Sequence, residues 1–139
     1  MHQAILQRAK RNGEIVERSK FRFVRSSSAA LPPATLRGLE GTFRCPVVEA
    51  YGMTEAAHQI ASNALDRRKA GAVGWPTGPD IRVVDDNWAD MPVDTAGKII
   101  IKGSNVHQAY CKPVSANQMA FNDQWFDTGD LGYFDVDGC

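Results

Sequence analysis

The spacing of apolar residues in the first fifty positions alternates between helical and strand patterns. Residues 3–12 keep their apolar side chains on one side and are followed by Gly13, which predicts a short amphipathic helix. Residues 21–25, Phe-Arg-Phe-Val-Arg, predict a strand. A second helix is predicted with Pro32 and Pro33 in its first turn, where a missing N–H costs nothing, and a second strand opens at Val47. This order of helix, strand, helix and strand is typical of a parallel α/β layer.

The spacing changes near the middle of the chain. Glycine and proline recur through residues 71–79 and indicate a turn-rich linker. Further strands are predicted at residues 81–83, 99–101 and 131–134. A short helix is predicted to open at Ser115, which forms a capping box with Gln118. We therefore expect a partial α/β layer at residues 1–70, followed by a β-rich, barrel-like part at residues 71–139.

The composition narrows the function classes. The chain has 139 residues, of which 43% are hydrophobic and 23% are charged, as is typical of a globular protein. Lysine plus arginine and aspartate plus glutamate number 16 each, and the zero net charge argues against nucleic-acid binding. The apolar runs are shorter than the roughly 20 residues of a membrane helix, and the polar N-terminus argues against a signal peptide. Three widely spaced cysteines favour reduced thiols in a cytoplasmic protein.

The most informative segment is Glu-Ala-Tyr-Gly-Met-Thr-Glu at residues 49–55, where the second strand is predicted to give way to a helix. Ligands of open α/β sheets bind at the carboxyl ends of the strands. Gly52 permits a close approach of the backbone, and Thr54 can donate a hydrogen bond to a phosphate or a carboxylate. Tyr51 offers a flat face to a nucleobase, and Glu55 offers a carboxylate to Mg²⁺. The alternative is structural, with Thr54 and Glu55 capping the helix and Tyr51 in the core.

A second candidate segment is Trp-Phe-Asp-Thr-Gly-Asp-Leu-Gly at residues 125–132. Asp130 follows a glycine in a predicted tight turn, where its carboxylate could accept hydrogen bonds from both hydroxyls of a ribose. An ordinary Asp-containing turn is the alternative. Residues 135–138, Asp-Val-Asp-Gly, superficially resemble a calcium loop, but they lack the remaining ligands and predict a β-turn.

Together these segments resemble the AMP-forming acyl-CoA synthetases, also called adenylate-forming ligases, and most nearly the oxalate–CoA ligase-like members. Tyr-Gly-Met-Thr-Glu at residues 51–55 and Trp-Phe-Asp-Thr-Gly-Asp-Leu-Gly at residues 125–132 follow the family order and spacing. Residues 25–31 resemble the family's adenine loop, although Ser27 replaces a usual glycine and Ala30 a usual proline. The resemblance implies the last α/β units of the family's large domain, followed by its small β-barrel subdomain.

The resemblance also implies an activity and residue roles. The family joins a carboxylic acid to ATP as an acyl-adenylate and then passes the acyl group to coenzyme A. Tyr51 would stack on adenine, Asp130 would hold the ribose of ATP or AMP, and Glu55 would bind Mg²⁺. Thr54 would contact the α-phosphate and the substrate carboxylate, so Thr54 and Glu55 are the candidate catalytic residues. Backbone at the adenine edge would come from Ser28, Ala29, Ala30 and Ala50.

His58 is the candidate substrate residue. It lies four positions after Thr54, so a helix would place both side chains on one face. In the oxalate-specific members that the segment resembles, a histidine here faces the small diacid. Simple packing of the ring is the alternative. The other two histidines, His2 and His107, have no evident partners and are expected at the surface.

Parts of the family pattern have no counterpart in these 139 residues. A Ser/Thr/Gly-rich phosphate loop with a lysine should precede residue 50, and most of the coenzyme A site and a catalytic lysine would follow residue 139. We therefore expect an internal fragment of the ligase that is inactive on its own. The alternative is a standalone, non-catalytic remnant. An open sheet edge and an exposed apolar face would favour a homo-oligomer.

Overall fold

A computed structural model of the protein describes residues 1–113 and 115–139. These residues divide into two compact units. The first unit comprises Met1–Ala50 and Ser62–Gly74, and the second comprises Tyr51–Ala61 and Trp75–Cys139. Within the described residues, no helix combines the length and the apolar character needed to cross a lipid bilayer.

Helices and a parallel strand pair form the first unit. In chain order the elements are α1 (His2–Ala9), α2 (Gly13–Arg18), β1 (Val24–Ser26), α3 (Pro33–Phe43) and β2 (Val47–Tyr51). The last residue of β2 belongs to the second unit. β1 and β2 pair in parallel, from Val24 opposite Val47 to Ser26 opposite Glu49. Parallel neighbours need a crossover connection, which α3 provides, and the predicted α/β layer is confirmed.

The core of the first unit brings α3 together with β2. Leu36 and Leu39, one helical turn apart on α3, are buried with Leu31 and Val47. Leu6 of α1 packs against the same cluster. Burying a side chain of this kind contributes about 1.5–3 kcal/mol, so the apolar stripes that predicted α1 and α3 are the faces that hold this unit together.

An antiparallel sheet dominates the second unit. After β3 (Ala61–Ser62), which spans the boundary between the units, the strands and helix are β4 (Trp75–Pro76), β5 (Asp80–Val84), β6 (Gly97–Lys102), α4 (Ala116–Ala120), β7 (Phe121–Asn122) and β8 (Trp125–Gly132). The sheet has the strand order β5-β6-β8-β7, and all three pairings are antiparallel. Its core consists of Ala56, Ile60, Ile101, Val106 and Phe126. The prediction of a β-rich second half is confirmed.

β8 carries a bulge in the Thr-Gly-Asp segment. The ladder between β6 and β8 shifts register between Lys98 and Ile100. As a result, residues 128–130 of β8 stand opposite the single residue Ile99 of β6. Gly129 sits at the centre of the bulge with a φ of +75°, a value that residues with a β-carbon rarely adopt. Bulges of this kind redirect side chains and are frequent beside active sites.

Two predictions close to the candidate site residues are wrong. The segment after Tyr51 forms no α-helix: a single 3₁₀ turn, Thr54–Ala56, is followed by a return of the chain into β3. The return buries Ala56 and Ile60 completely, and this packing overrides the local helical preference. The last strand is β8 rather than residues 131–134, and Asp130 lies in the bulge of that strand rather than in a tight turn.

Smaller differences concern the ends of elements. α1 ends at Ala9, and the predicted stop at Gly13 is instead the first residue of α2. Ser115 precedes α4, but its side chain makes no capping hydrogen bond among the described residues. The β-turn predicted at residues 135–138 is confirmed, because the backbone N–H of Gly138 donates to the carbonyl of Asp135 at 2.9 Å.

Candidate active site

The segment from Tyr51 to Ile60 is a closed loop, here called the motif loop. Its ends are joined by the N–H of Ile60, which donates to the carbonyl of Tyr51 at 3.0 Å. A second hydrogen bond, from the N–H of His58 to the carbonyl of Met53 at 2.8 Å, closes the loop from inside. Ala57 and His58 both have positive φ angles, of 50° and 57°. Such angles cost free energy outside glycine and cluster at functional sites.

Asn105 fastens the motif loop to the rest of the second unit. Its side-chain amide donates to the carbonyl oxygens of Gln59 at 2.8 Å and Ala56 at 3.1 Å. Two residues further on, the backbone N–H of His107 donates to the carbonyl of Glu55 at 2.8 Å. These contacts satisfy backbone groups that no regular helix or strand would satisfy, and they hold the loop in one conformation.

Tyr51 and Asp130, the two predicted adenosine ligands of the second unit, are in direct contact. The Tyr51 hydroxyl donates to Asp130 Oδ2 at 2.6 Å, a length typical of a charge-assisted hydrogen bond. Burial, followed by this bond, raises the pKa of Tyr51 above its ordinary value, so the phenol remains a donor throughout the neutral range. The carboxylate of Asp130 is exposed and therefore accessible to a ligand.

Hydrogen bonds within the bulge of β8 restrain the backbone of Asp130. Thr128 Oγ1 donates to the carbonyl of Ile99 at 2.8 Å. Ile99 lies opposite the bulge, and this hydrogen bond satisfies its carbonyl oxygen. The same oxygen accepts a hydrogen bond from the backbone N–H of Asp130 at 3.1 Å. The N–H of Gly129 donates in turn to Asp127 Oδ1 at 2.9 Å. The Thr-Gly-Asp segment is thus a rigid platform and not an ordinary turn.

Glu55 is the candidate metal ligand. It is half-buried, and the Tyr110 hydroxyl donates to its Oε1 at 3.3 Å. Burial, followed by the nearby charge of Glu55, raises the pKa of Tyr110. Among residues 1–113 and 115–139, no group of three or more His, Cys, Asp or Glu side chains could hold a metal ion. A single carboxylate completed by substrate phosphates is a common environment for Mg²⁺, and Glu55 fits it.

Thr54 and His58 are exposed, but they do not share a helix face as predicted. Thr54 opens the 3₁₀ turn, whereas His58 follows it in the left-handed conformation. A turn of three residues also lacks the aligned peptide dipoles of a helix N-terminus, so that reason for phosphate binding at Thr54 does not apply. The hydroxyl of Thr54 and the imidazole of His58 are nevertheless accessible to ligand.

The remaining predicted ligands lie in the first unit. Ser28, Ala29 and Ala30 are exposed and follow the carboxyl end of β1. Ser28 has a φ of +79°, which turns the chain at this point without a glycine. Ala50 is buried at 6% exposure in β2, the parallel neighbour of β1. The Ser28–Ala30 segment therefore follows the carboxyl end of β1, where ligand-binding loops of such sheets lie, whereas Ala50 lies inside β2, one residue before its end.

Several residues that shape the site were missed. Thr128, Asn105 and Tyr110 drew no role from the sequence, because each acts through partners far away along the chain. His107 was expected at the surface but packs edge-on against Phe126 with ring centroids 4.9 Å apart, and its Nε2 is buried without a hydrogen-bond partner among the described residues. His2 is likewise half-buried, with Nε2 3.1 Å from a serine hydroxyl.

The chain is similar to known proteins of one family. A model of the AMP-binding enzyme family matches residues 1–111. The chain is 44% identical to a probable CoA ligase, CCL9, of Humulus lupulus and 42% identical to an oxalate–CoA ligase of Arabidopsis thaliana, in each case over 99% of this chain and 27% of the relative. The chain thus spans about a quarter of the length of these relatives.

A solved structure gives the same result at the level of the fold. O-succinylbenzoate coenzyme A synthetase from Bacillus subtilis, in complex with ATP and magnesium ion, superimposes with a TM-score of 0.77 and 26% identity. The match covers 99% of this chain and 33% of that chain. The predicted fold class, part of the large domain of an adenylate-forming ligase, is confirmed.

Proposed function

The chain belongs to the AMP-binding enzyme family, and we propose that it supplies adenosine- and Mg²⁺-binding residues of a ligase that joins a small carboxylic acid to coenzyme A. Its curated relatives are named CoA ligases, which supports the reaction class. In this proposal residues 1–70 contribute the adenine loop, and residues 71–139 contribute the Thr-Gly-Asp segment. The nucleotide is ATP before the reaction and AMP after it.

One observation carries the proposal: the 2.6 Å hydrogen bond from Tyr51 to Asp130. It joins an aromatic face that can stack on adenine to an exposed carboxylate that can accept the hydroxyls of a ribose. The two groups come from different segments and meet through a rigid bulge. Gly52 serves the same site by allowing the motif loop to close directly beside Tyr51. Backbone contacts of Ser28, Ala29, Ala30 and Ala50 with adenine stay a prediction.

Glu55 and Thr54 are proposed to act at the phosphates. Mg²⁺, when bound, neutralises charge on the phosphate oxygens and helps to orient them. The Tyr110 hydroxyl holds Glu55 Oε1, so the carboxylate is oriented before any ligand arrives. Thr54 is exposed at the start of the 3₁₀ turn, and its hydroxyl can donate to a phosphate oxygen or to the acid substrate.

His58 is proposed to face the acid substrate. The residue is exposed next to the 3₁₀ turn that carries Thr54 and Glu55, and a ring N–H can donate a hydrogen bond to a substrate carboxylate. The Arabidopsis relative named for oxalate supports a small dicarboxylate as the substrate. The name of the same relative supports coenzyme A as the acceptor of the acyl group.

Calorimetric titration of the purified chain with AMP, and separately with MgATP, tests the nucleotide part of this proposal. We expect saturable binding of AMP, loss of about tenfold in affinity or more in Asp130→Ala, and no change in Asp123→Ala, an exposed carboxylate near the end of β7. Glu55→Gln should weaken MgATP more than AMP. An absence of AMP binding at millimolar concentration, or equal binding by Asp130→Ala, would contradict the proposal.

A second candidate function, self-association without a nucleotide, is favoured by exposed apolar side chains in the first unit. Ile15 of α2 is 69% exposed and Phe21 is 53% exposed. Apolar side chains of this size at the surface favour contacts with another chain. Light scattering at micromolar concentration should then give a dimer mass that Ile15→Glu reduces to a monomer mass. A monomeric native chain would remove this candidate.

A further inference from the structure

We propose that the Tyr51 hydroxyl is a positioning group that orients the Asp130 carboxylate toward a vicinal diol, and thereby makes the site selective for ribose over sugars that lack these hydroxyls. This inference rests on the proposed nucleotide function and goes one step further. Stacking on adenine needs only the ring of Tyr51. The hydroxyl is not needed for stacking, yet the structure gives it a short hydrogen bond of its own.

Asp130 is held at two points, one on its carboxylate and one on its backbone. Its Oδ2 accepts from the Tyr51 hydroxyl at 2.6 Å, and its backbone N–H donates to Thr128 Oγ1 at 3.1 Å. Thr128 is itself tied to the carbonyl of Ile99 in the neighbouring strand at 2.8 Å. The backbone and the carboxylate are therefore both restrained, although the side chain is exposed.

This restraint matters because an exposed aspartate would otherwise rotate freely. Immobilising a free side chain on binding costs free energy, and this cost is smaller for a side chain that is already held in place before the ligand binds. A carboxylate has about four acceptor positions, and the tyrosine uses one of them. The remaining positions on Oδ1 and Oδ2 can accept two neighbouring hydroxyls. A ligand without those hydroxyls gains nothing from the restraint.

A purely structural role for the Tyr51 hydroxyl makes a different prediction. If the hydrogen bond merely stabilised the fold or the tilt of the ring, its removal would weaken all adenine nucleotides alike. If it positions Asp130, its removal would weaken nucleotides that carry the 2′- and 3′-hydroxyls and leave the dideoxy forms unchanged. The ratio of the two affinities therefore separates these roles.

The experiment measures dissociation constants of AMP and of 2′,3′-dideoxy-AMP for the full chain and for Tyr51→Phe, which keeps the ring. We expect Tyr51→Phe to lower the preference for AMP by about tenfold, with the affinity for the dideoxy nucleotide unchanged. Tyr133→Phe is the matched control, since Tyr133 is 58% exposed, and it should keep the full preference.

Thr128 provides a second variant. Thr128→Ala removes the oxygen that holds the backbone of Asp130, whereas Thr128→Ser retains it. The alanine variant should lose much of the preference for AMP, and the serine variant should recover it. Variants are compared after circular dichroism has established a native fold.

The outcomes distinguish this inference from the function on which it rests. If the native chain binds AMP but Tyr51→Phe keeps the same AMP-to-dideoxy ratio, or loses both affinities equally, the positioning role is wrong while the nucleotide function stands. If the native chain binds neither nucleotide, both proposals are wrong. A selective loss in Tyr51→Phe together with rescue by Thr128→Ser supports the inference.

Discussion

Gly52 and His58 touch through their backbones: a β-carbon on Gly52 would lie 2.3 Å from the carbonyl oxygen of His58 and 2.4 Å from its carbonyl carbon. Both contacts are far inside van der Waals distance, and a backbone atom cannot move aside as the end of a flexible side chain can. The motif loop therefore closes only around a glycine. The reason for glycine at this position is a close approach of two segments of chain and not a positive φ angle.

Gly52→Ala should open the motif loop. We expect the free energy of unfolding to fall by about 3 kcal/mol, because the added methyl must displace the backbone of His58. Urea unfolding followed by circular dichroism measures the change. Gly41→Ala is the matched control: Gly41 lies in α3 with open space around its α-carbon, and alanine there should raise stability by about 0.5 kcal/mol. Equal stabilities of Gly52→Ala and the native chain would contradict this account of the loop.

Asn105→Ala should loosen the motif loop without removing any proposed ligand contact. The change deletes hydrogen bonds to two carbonyl oxygens 46 and 49 positions away, at an expected cost of about 1–2 kcal/mol. Hydrogen exchange of the amides in residues 54–60 should accelerate. Asn87→Ala is the control, because the described hydrogen bond of Asn87 uses its backbone N–H. Unchanged exchange in Asn105→Ala would show that the loop is held by other contacts.

In the first unit, the side chain of Asn63 plays the part that Asn105 plays in the second, because it forms hydrogen bonds with backbone groups of distant residues. It is 5% exposed, its amide donates to the carbonyls of Ala72 at 2.7 Å and Glu49 at 3.2 Å, and its Oδ1 accepts from the N–H of Lys69 at 2.8 Å. Asn63→Ala should lower the free energy of unfolding by about 3 kcal/mol, since it leaves buried polar groups without partners. Asn12→Ala, which removes one exposed hydrogen bond to Arg8, should change stability by about 0.5 kcal/mol at most.

Stability should depend on pH through Tyr51. Burial and the hydrogen bond to Asp130 raise the pKa of Tyr51 above its ordinary 10.0, so the folded chain binds this proton more tightly than the unfolded chain. The contribution to stability is fully present below about pH 10 and is lost as the pH rises toward the folded-state pKa. The urea midpoint of the native chain should therefore fall more steeply above about pH 10 than that of Tyr51→Phe. A parallel fall in both proteins would assign the effect to other groups.

α1 and α3 of the first unit were predictable because their packing follows local spacing, whereas α2 was not predicted. Leu36 and Leu39 repeat at helical spacing and both face the core of that unit. The segment at residues 54–58 was not predictable in the same way. Its alanines favour a helix, but the complete burial of Ala56 and Ile60 in the second unit requires the chain to turn back after one 3₁₀ turn.

The candidate site residues were named one by one from the sequence, but the contacts among them were not predicted. Tyr51 and Asp130 were both named from their motifs, yet the bond between them joins positions 79 residues apart and depends on the bulge in β8. The bulge leaves a small signal, the glycine of Thr-Gly-Asp, which can equally indicate a turn. No contact of Tyr110 or His107 was predicted, since their partners Glu55 and Phe126 lie far away along the chain.

The sequence by itself determined which chemical groups the candidate site contains: an aromatic ring, a hydroxyl, two carboxylates and an imidazole. Their order along the chain identifies the family. Motif spacing preserves this information because side-chain chemistry is a property of single residues. The tertiary structure alone decided that the Tyr51 hydroxyl donates to Asp130, that the Tyr110 hydroxyl donates to Glu55, and that His58 has a left-handed backbone conformation instead of a helical one. These are contacts between distant segments, and burial of the second unit's core overrides local preference in choosing them.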